Sequence, residues 1–144
     1  DAICTIDADH QHNPEDLIPL IEALYEKDVD LVIGSRFMKK NEIPVSRVFF
    51  NFIGNVINFF VTGLVITDSQ SGLKVMSRRF AESLTITYNG FEFCIEIIKN
   101  AQINKSKVLE YPIDVTYSKE TMDKGQNLFS GFEMLGKIFN PFRS

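Results

Sequence analysis

Cysteine is scarce in this chain, and its scarcity excludes one class of fold. Cys4 and Cys94 are the only cysteines among 144 residues, too few for the disulfide framework of a small secreted domain. Cys4 falls in a predicted strand and Cys94 in a predicted helix. We therefore expect two buried free thiols in a protein of a reducing compartment.

An excess of positive charge is also missing. The formal net charge is -4 at pH 7, and no basic stripe indicates a nucleic-acid partner. Internal repeats and low-complexity linkers are absent too, so the sequence, 44% hydrophobic and 24% charged, indicates one globular domain or part of one. The sequence has neither a signal peptide nor an initiating methionine, and a strand pattern begins at once. We expect a fragment that lacks its N-terminal part.

Charge is missing altogether from residues 48–66, a run nearly as long as a membrane span. Its polar side chains recur at helical spacing: Asn51, Asn55, Asn58 and Thr62. A helix crossing the lipid would place this stripe in hydrocarbon, so we predict an amphipathic helix over residues 48–62, ended by Gly63. It could be a core helix beneath a polar surface. We favour a helix at a membrane interface whose polar face turns toward a site. The apolar face would carry Phe49, Phe52, Ile53, Val56, Phe59 and Phe60.

Residues 7–12 form the most informative polar stretch. They lie between a predicted buried strand, residues 2–6, and a helix that begins at Pro14 with acidic residues in its first turn. The stretch therefore fills a strand-to-helix turn, which is where open α/β sheets bind ligands.

Asp7 and Asp9 can direct two carboxylates at one divalent cation. With the amide oxygen of Gln11 they form a set of hard oxygen ligands that suits Mg2+ or Mn2+. The alternative is that the two aspartates only cap turns. His10 and His12 have no cysteine or third histidine nearby, so we expect solvated turn residues rather than ligands of a softer metal.

A second buried strand is predicted at residues 30–33, after a helix over residues 14–27. The resulting βαβ unit predicts that the first two strands are parallel neighbours joined by a right-handed crossover. Arg36, just after the second strand, would then lie at the same sheet edge as Asp7 and Asp9. There it could be a surface charge, pair with the aspartates or bind a phosphate.

The later elements are predicted more briefly. A turn-rich loop at residues 67–72 precedes a strand at 73–76 and a short helix that begins at Arg78. A helix over residues 91–102 has an acidic face, with Glu92 and Glu96, that we expect to be solvated. Pro112 marks residues 108–117 as an edge strand. A polar loop at 118–126 and a last helix at 128–139 complete the prediction.

Several of these segments together carry a resemblance to a known family. DADHQHNPE at residues 7–15, GSRF at 34–37 and TDSQSGL at 67–73 occur in the order typical of family 2 glycosyltransferases of the dolichyl-phosphate mannose synthase, or polyprenyl-phosphate glycosyltransferase, type. GFE at 90–92 and EYPI at 110–113 are similar to later segments of that family. The resemblance extends over nearly the whole chain, and the motifs keep the family's spacing.

The resemblance implies an α/β fold of the GT-A type, a Rossmann-like mixed sheet flanked by helices. Residues 1–144 would be the C-terminal part of the catalytic domain, without the N-terminal part that binds the nucleotide base. The implied partners are a GDP- or UDP-linked sugar donor, a Mg2+ or Mn2+ ion, and a polyprenyl or dolichyl phosphate acceptor. The implied location is peripheral, on the cytoplasmic face of a membrane.

The resemblance also implies roles for individual residues. Asp7, Asp9 and Gln11 would hold the metal and the donor diphosphate, while Arg36 and Arg47 would bind the acceptor phosphate and share catalysis with Asp9. Further substrate-binding residues would be Asn51, Asp68, Gln70, Ser71 and Lys119. Two positions depart from the family pattern. Asn51 stands where a serine is often found, and Lys119 and Lys124 stand where an arginine is common.

The implied chemistry is electrostatic. A phosphate acceptor is already an anion at neutral pH and can attack the anomeric carbon of the sugar without a general base, inverting that centre. The protein then has to align two anions and stabilise the leaving diphosphate. Two alternatives remain at this point: another metal-dependent nucleotide-sugar or nucleotidyl transferase with a soluble acceptor, and a non-catalytic membrane-surface fragment.

Overall fold

The computed structural model of the chain describes residues 1–8, 11–87 and 92–116. The elements are, in order, β1 (Ala2–Thr5), a 3-10 turn (Pro14–Asp16), α1 (Leu17–Glu26), β2 (Leu31–Ser35), α2 (Val45–Thr62), β3 (Lys74–Ser77), α3 (Arg78–Glu82), α4 (Glu92–Ile103) and β4 (Val108–Pro112). The loop and helix predicted over residues 118–126 and 128–139 lie outside the described residues, as do Asp9, His10, Gly90, Phe91 and Lys119.

The four strands form one mixed sheet in the order β1-β3-β2-β4. β3 runs antiparallel to both β1 and β2, whereas β2 and β4 are parallel. The predicted α/β class with a mixed sheet flanked by helices is therefore confirmed. In the described part of the chain β4 lies at an edge of the sheet, as Pro112 indicated.

The prediction that β1 and β2 are neighbours is wrong. They are parallel, because each is antiparallel to β3, but β3 lies between them. The chain returns after α2 and inserts β3 into the gap, with Lys74 opposite both Thr5 and Ile33. The carboxyl ends of β1 and β2 consequently meet the loop that enters β3, and Asp7 and Arg36 still share one edge.

β1 is not the buried strand that the sequence predicted. In the described part of the chain it pairs on one side only, with β3, and Ile3 remains 45% exposed. Cys4 is an exposed free thiol and Cys94 is half-buried. The prediction of two buried thiols is wrong because an apolar run does not show whether both faces of its strand are covered.

The core lies on both faces of β2. Successive side chains of a strand point to opposite faces, so Leu31 and Ile33 join one apolar cluster with α3 and α4 while Val32 joins another with α1. Every residue of β2 is buried, as expected for a strand with helices packed on both of its faces.

α2 begins one turn earlier than predicted and ends, as predicted, at Gly63, which has a φ of 71°. Its polar stripe faces the protein, because Asn51, Asn58 and Thr62 are buried. Its aromatic side faces outward, and Phe52 is 64% exposed. Among helices in the described ranges, α2 is the one long and apolar enough to cross a membrane, although one such helix is weak support for a span.

The acidic face of α4 is less solvated than predicted. Glu92 is buried, so the prediction is wrong for this residue. Both carboxylate oxygens of Glu96 accept the backbone N–H of Thr87, at 2.9 Å each. The helix therefore uses this side to bind the segment that precedes it, a contact that the spacing of charges along the helix does not reveal.

Candidate active site

Three parts of the chain meet beyond the carboxyl ends of β1 and β2: Ile6 and Asp7 just after β1, the end of β2, and residues 67–72. We call residues 67–72 the entry loop because they lead into β3. Thr5 Oγ1 donates to the Gly72 carbonyl oxygen at 2.8 Å. The hydroxyls of Ser35 and Thr67 are 2.6 Å apart. The entry loop is thus bound to both strands on whose ends the candidate residues lie.

Asp7 packs directly against the backbone of the entry loop. A Cβ built on Gly72 would lie 2.1 to 2.2 Å from the carboxyl atoms of Asp7, so only glycine permits this approach. The pKa of Asp7 is held below its ordinary value, mainly by the neighbouring His12 side chain and further by the charges of Lys74 and Arg36, although burial opposes the shift. Asp7 is therefore ionised at neutral pH and half-exposed, so its carboxylate is available to a cation.

His12 is buried, and the prediction that it is a solvated turn residue is wrong. Its side chain is 1% exposed, and its Nε2 lies 3.7 Å from Asp7 Oδ2. The backbone of His12 pairs with that of Val115 in an isolated antiparallel β-bridge, which holds His12 against the segment after β4. Gln11 is buried as well, and its backbone carbonyl oxygen accepts from the backbone N–H of Thr116 at 3.1 Å.

The metal site predicted from Asp7, Asp9 and Gln11 is described only in part, because Asp9 is not among the described residues. Within those residues no three His, Cys, Asp or Glu side chains form a cluster able to hold a metal. Asp7 offers one ionised, half-exposed carboxylate, which is the kind of ligand that a hard cation takes. The site as a whole stays a prediction.

Arg36 forms a buried ion pair that the sequence did not indicate. Its Nε and Nη2 donate to the two carboxylate oxygens of Asp68 at 2.7 Å each, and its backbone N–H donates to the same carboxylate at 3.0 Å. The Arg36 side chain is 11% exposed and the Asp68 side chain is fully buried. Asp68 thus fixes the guanidinium in one orientation, from which its charge still acts on Asp7.

Glu110 holds the entry loop from the side of β4. Its Oε1 accepts from the Thr67 N–H at 2.9 Å, from the Thr67 hydroxyl at 2.7 Å and from the Asp68 N–H at 3.1 Å. Sequence analysis assigned no role to this residue. Two signals were available: a carboxylate within a strand of otherwise apolar character, and its place in the EYPI segment that resembles the family.

α2 holds the same loop from the opposite side. Asn51 and Asn55 each donate through Nδ2 to the Thr67 carbonyl oxygen, at 2.9 and 2.7 Å, and Asn55 accepts from the Ser69 N–H at 3.0 Å. Gly54 faces Gln70 so closely that an added Cβ would lie 2.9 Å from Gln70 Cγ. The polar stripe of α2 therefore faces the entry loop.

The remaining predicted residues lie around this centre. Gln70 and Ser71 belong to the entry loop and are half-buried and buried, and Arg47 lies half-buried in the first turn of α2. Lys74, to which the sequence assigned no role, is fully buried at the start of β3, and its Nζ donates to the Ser71 carbonyl oxygen.

Replacing Asp68 with Asn should destabilise the protein by about 3 kcal/mol, because it leaves the Arg36 guanidinium largely buried without its counter-charge. Urea denaturation of the full-length protein measures this change. The matched control is Asp114→Asn, which removes the partner of Lys39 in an exposed ion pair and should change stability little. Equal effects of the two substitutions would contradict a structural role for the Arg36–Asp68 pair.

Comparison with known proteins shows the family to which this sequence belongs. Residues 1–85 match the model of glycosyl transferase family 2. An uncharacterized protein of Methanocaldococcus jannaschii is 35% identical over 141 residues, covering 94% of this chain and 58% of the relative. The UDP-N-acetylglucosamine--dolichyl-phosphate N-acetylglucosaminyltransferase of Methanococcus voltae is 31% identical over 143 residues (96% and 57%).

The polyprenol monophosphomannose synthase of Mycolicibacterium smegmatis is 30% identical over 117 residues, which cover 77% of this chain and 44% of the relative. The chain thus spans about half the length of the curated relatives that it matches. The resemblance of the Asp7, Arg36 and entry-loop segments is confirmed by the family match. The chain belongs to glycosyl transferase family 2.

Proposed function

We propose that the full-length protein transfers a sugar from a nucleotide-sugar donor to a polyprenyl or dolichyl phosphate at a membrane surface. The observation that carries this proposal is a single edge of the sheet at which an ionised carboxylate, Asp7, and a fixed cation, Arg36, meet a loop bound to an amphipathic helix. Family membership supports it, as do the printed names of the Methanococcus voltae and Mycolicibacterium smegmatis relatives.

The donor would bind beside Asp7. Enzymes of this family generally use a divalent metal, and in our proposal Asp7, Asp9 and Gln11 hold Mg2+ or Mn2+ together with the diphosphate of a GDP- or UDP-linked sugar. The metal, when bound, neutralises the charge that develops on the leaving diphosphate. Because the chain spans about half of its relatives, residues outside it would contact the nucleotide base.

The acceptor phosphate would bind to Arg36 and Arg47. Asp68 contributes through Arg36, whose guanidinium it orients, and not by touching the substrate. Asn51, Gln70, Ser71 and Lys119 would complete the contacts with the two substrates. The anionic acceptor attacks the anomeric carbon from the face opposite the diphosphate, so the transfer inverts that centre and needs no general base.

The membrane surface would be contacted by the outward side of α2. Phe49, Phe52, Phe59 and Phe60 are exposed there, on the face opposite the asparagine stripe. A helix that lies flat buries such a face in the headgroup boundary while its polar face stays in the protein. We therefore propose peripheral attachment on the cytoplasmic face of the membrane.

Replacing Asp9 with Ala in the full-length protein should abolish Mn2+-dependent binding of the nucleotide sugar, because one of the two proposed carboxylate ligands is lost. Isothermal titration calorimetry with and without Mn2+ measures this. Asp28→Ala is the control, since its carboxylate lies before β2, at the end of the strand opposite Arg36. Unchanged Mn2+-dependent affinity in the Asp9 variant would remove the metal site from the proposal.

Replacing Arg47 with Gln should raise KM for polyprenyl phosphate on the order of tenfold, and much more than KM for the nucleotide sugar, since a charged contact to one substrate is lost. Steady-state kinetics with each substrate varied in turn measures both values. Arg79→Gln is the control, because Arg79 pairs with Asp30 at the far end of the sheet. If both KM values rise equally, Arg47 does not discriminate the acceptor.

Replacing Phe52 and Phe59 together with Ser should release the protein from liposomes and lower activity on long-chain acceptors. A short, water-soluble polyprenyl phosphate should remain a good substrate, because the site itself is intact. Co-sedimentation and parallel transfer assays measure the two effects. The control substitutes Ile18 and Tyr25 of α1, which are equally exposed, with Ser. Resistance of the wild-type protein to extraction by alkaline carbonate would instead show a spanning helix.

A further inference from the structure

Lys74 is a fully buried cation in the middle of the sheet. It begins β3 and lies opposite Thr5 of β1 and Ile33 of β2, so strands flank it on both sides. Removing an ammonium group from water is costly unless an anion or several hydrogen bonds compensate. An apolar residue would fill the same position without that cost, and the charge itself therefore calls for an explanation.

The described residues compensate this charge only in part. Nζ donates to the carbonyl oxygen of Ser71, which is a neutral acceptor. Across residues 1–8, 11–87 and 92–116 no carboxylate forms an ion pair with Lys74, whereas Arg36, the other buried cation of this edge, has Asp68. Within the described ranges this sheet edge thus contains one buried positive charge that has no carboxylate in ion-pair contact.

The positive charge acts on the candidate donor site. Ser71 precedes Gly72, the residue against which the Asp7 carboxyl packs, so Lys74 lies beneath the loop that supports Asp7. The pKa of Asp7 is lowered first by the neighbouring His12 side chain, and the charge of Lys74 adds to this effect. Lys74 therefore interacts electrostatically with the Asp7 carboxylate but forms no hydrogen bond or ion pair with it.

We propose that Lys74 is a buried counter-charge for the diphosphate of the donor, which disfavours metal binding without nucleotide and favours binding of the two together. This inference rests on the proposed function. The positive charge of Lys74 partly cancels that of Asp7, one of the proposed metal ligands, and so weakens the attraction of this edge for a cation. A bound diphosphate brings negative charge, which Lys74 attracts and which favours the metal. Without the diphosphate, the same cation repels the metal. Lys74 is a positioning residue in this role, because it touches neither ligand.

The test compares two affinities in the full-length protein and in Lys74→Met and Lys74→Gln. The first is the affinity for Mn2+ alone, measured from the electron paramagnetic resonance signal of free Mn2+. The second is the affinity for GDP and UDP in the presence of EDTA, measured by calorimetry. In both variants we expect tighter Mn2+ binding and weaker diphosphate binding, each on the order of tenfold.

A purely structural role predicts a different result, namely that both affinities fall together, and this would overturn the proposal. Lys74→Gln retains a donor for Ser71 and separates loss of charge from loss of the hydrogen bond. Lys107→Met is the matched control for net charge, because Lys107 is exposed and pairs with Asp28 at the far end of the sheet. It should leave both affinities unchanged.

Three further outcomes are decisive. If neither neutral variant folds, as judged by circular dichroism, Lys74 serves the fold and the proposal is wrong. If the wild-type protein binds neither GDP nor UDP, with or without Mn2+, the proposed function itself fails. If the wild type binds a nucleotide but the variants show no opposite shifts, only the role of Lys74 is rejected.

Discussion

The buried ion pair between Arg36 and Asp68 is the interaction on which the arrangement of the site depends. It joins the end of β2 to the entry loop through a carboxylate that accepts from both side-chain and backbone donors of Arg36. Glu110 and the asparagines of α2 fix the same loop from two other directions. Because Gly72 of this loop supports Asp7, the positions of the carboxylate and the guanidinium are set by one segment.

The sequence predicted the elements of the fold better than their arrangement. Periodicity located α1, α2 and the central strand because each buries a face that local spacing makes visible. The insertion of β3 between β1 and β2 depends on pairing between distant segments, which no local pattern records. The exposure of Ile3 and Cys4 was missed for a related reason, since an apolar strand looks the same whether or not a second layer covers it.

For the site, too, the sequence predicted which segments meet but not the contacts between them. The resemblance identified the segments that meet, and the strand ends predicted that Asp7 and Arg36 share an edge. The contacts themselves were not predictable, because Arg36 and Asp68 are 32 positions apart and pair only when β3 lies beside β2. Lys74 was overlooked because a charged residue in a strand usually faces solvent. Lys74 is buried because β1 and β2 lie on either side of β3 in the assembled sheet, which its neighbours in sequence do not reveal.

One face of α2 contacts the entry loop and the other is exposed, and the diameter of the helix separates the two faces. An α-helix with its side chains is about 10 to 12 Å across, and the entry loop lies on one side of α2 while the exposed phenylalanines lie on the other. If those rings rest at the edge of the hydrocarbon, the loop stands roughly one headgroup layer above it. Under the proposed membrane attachment, the helix would then act as a spacer that holds the entry loop at the height of a lipid phosphate.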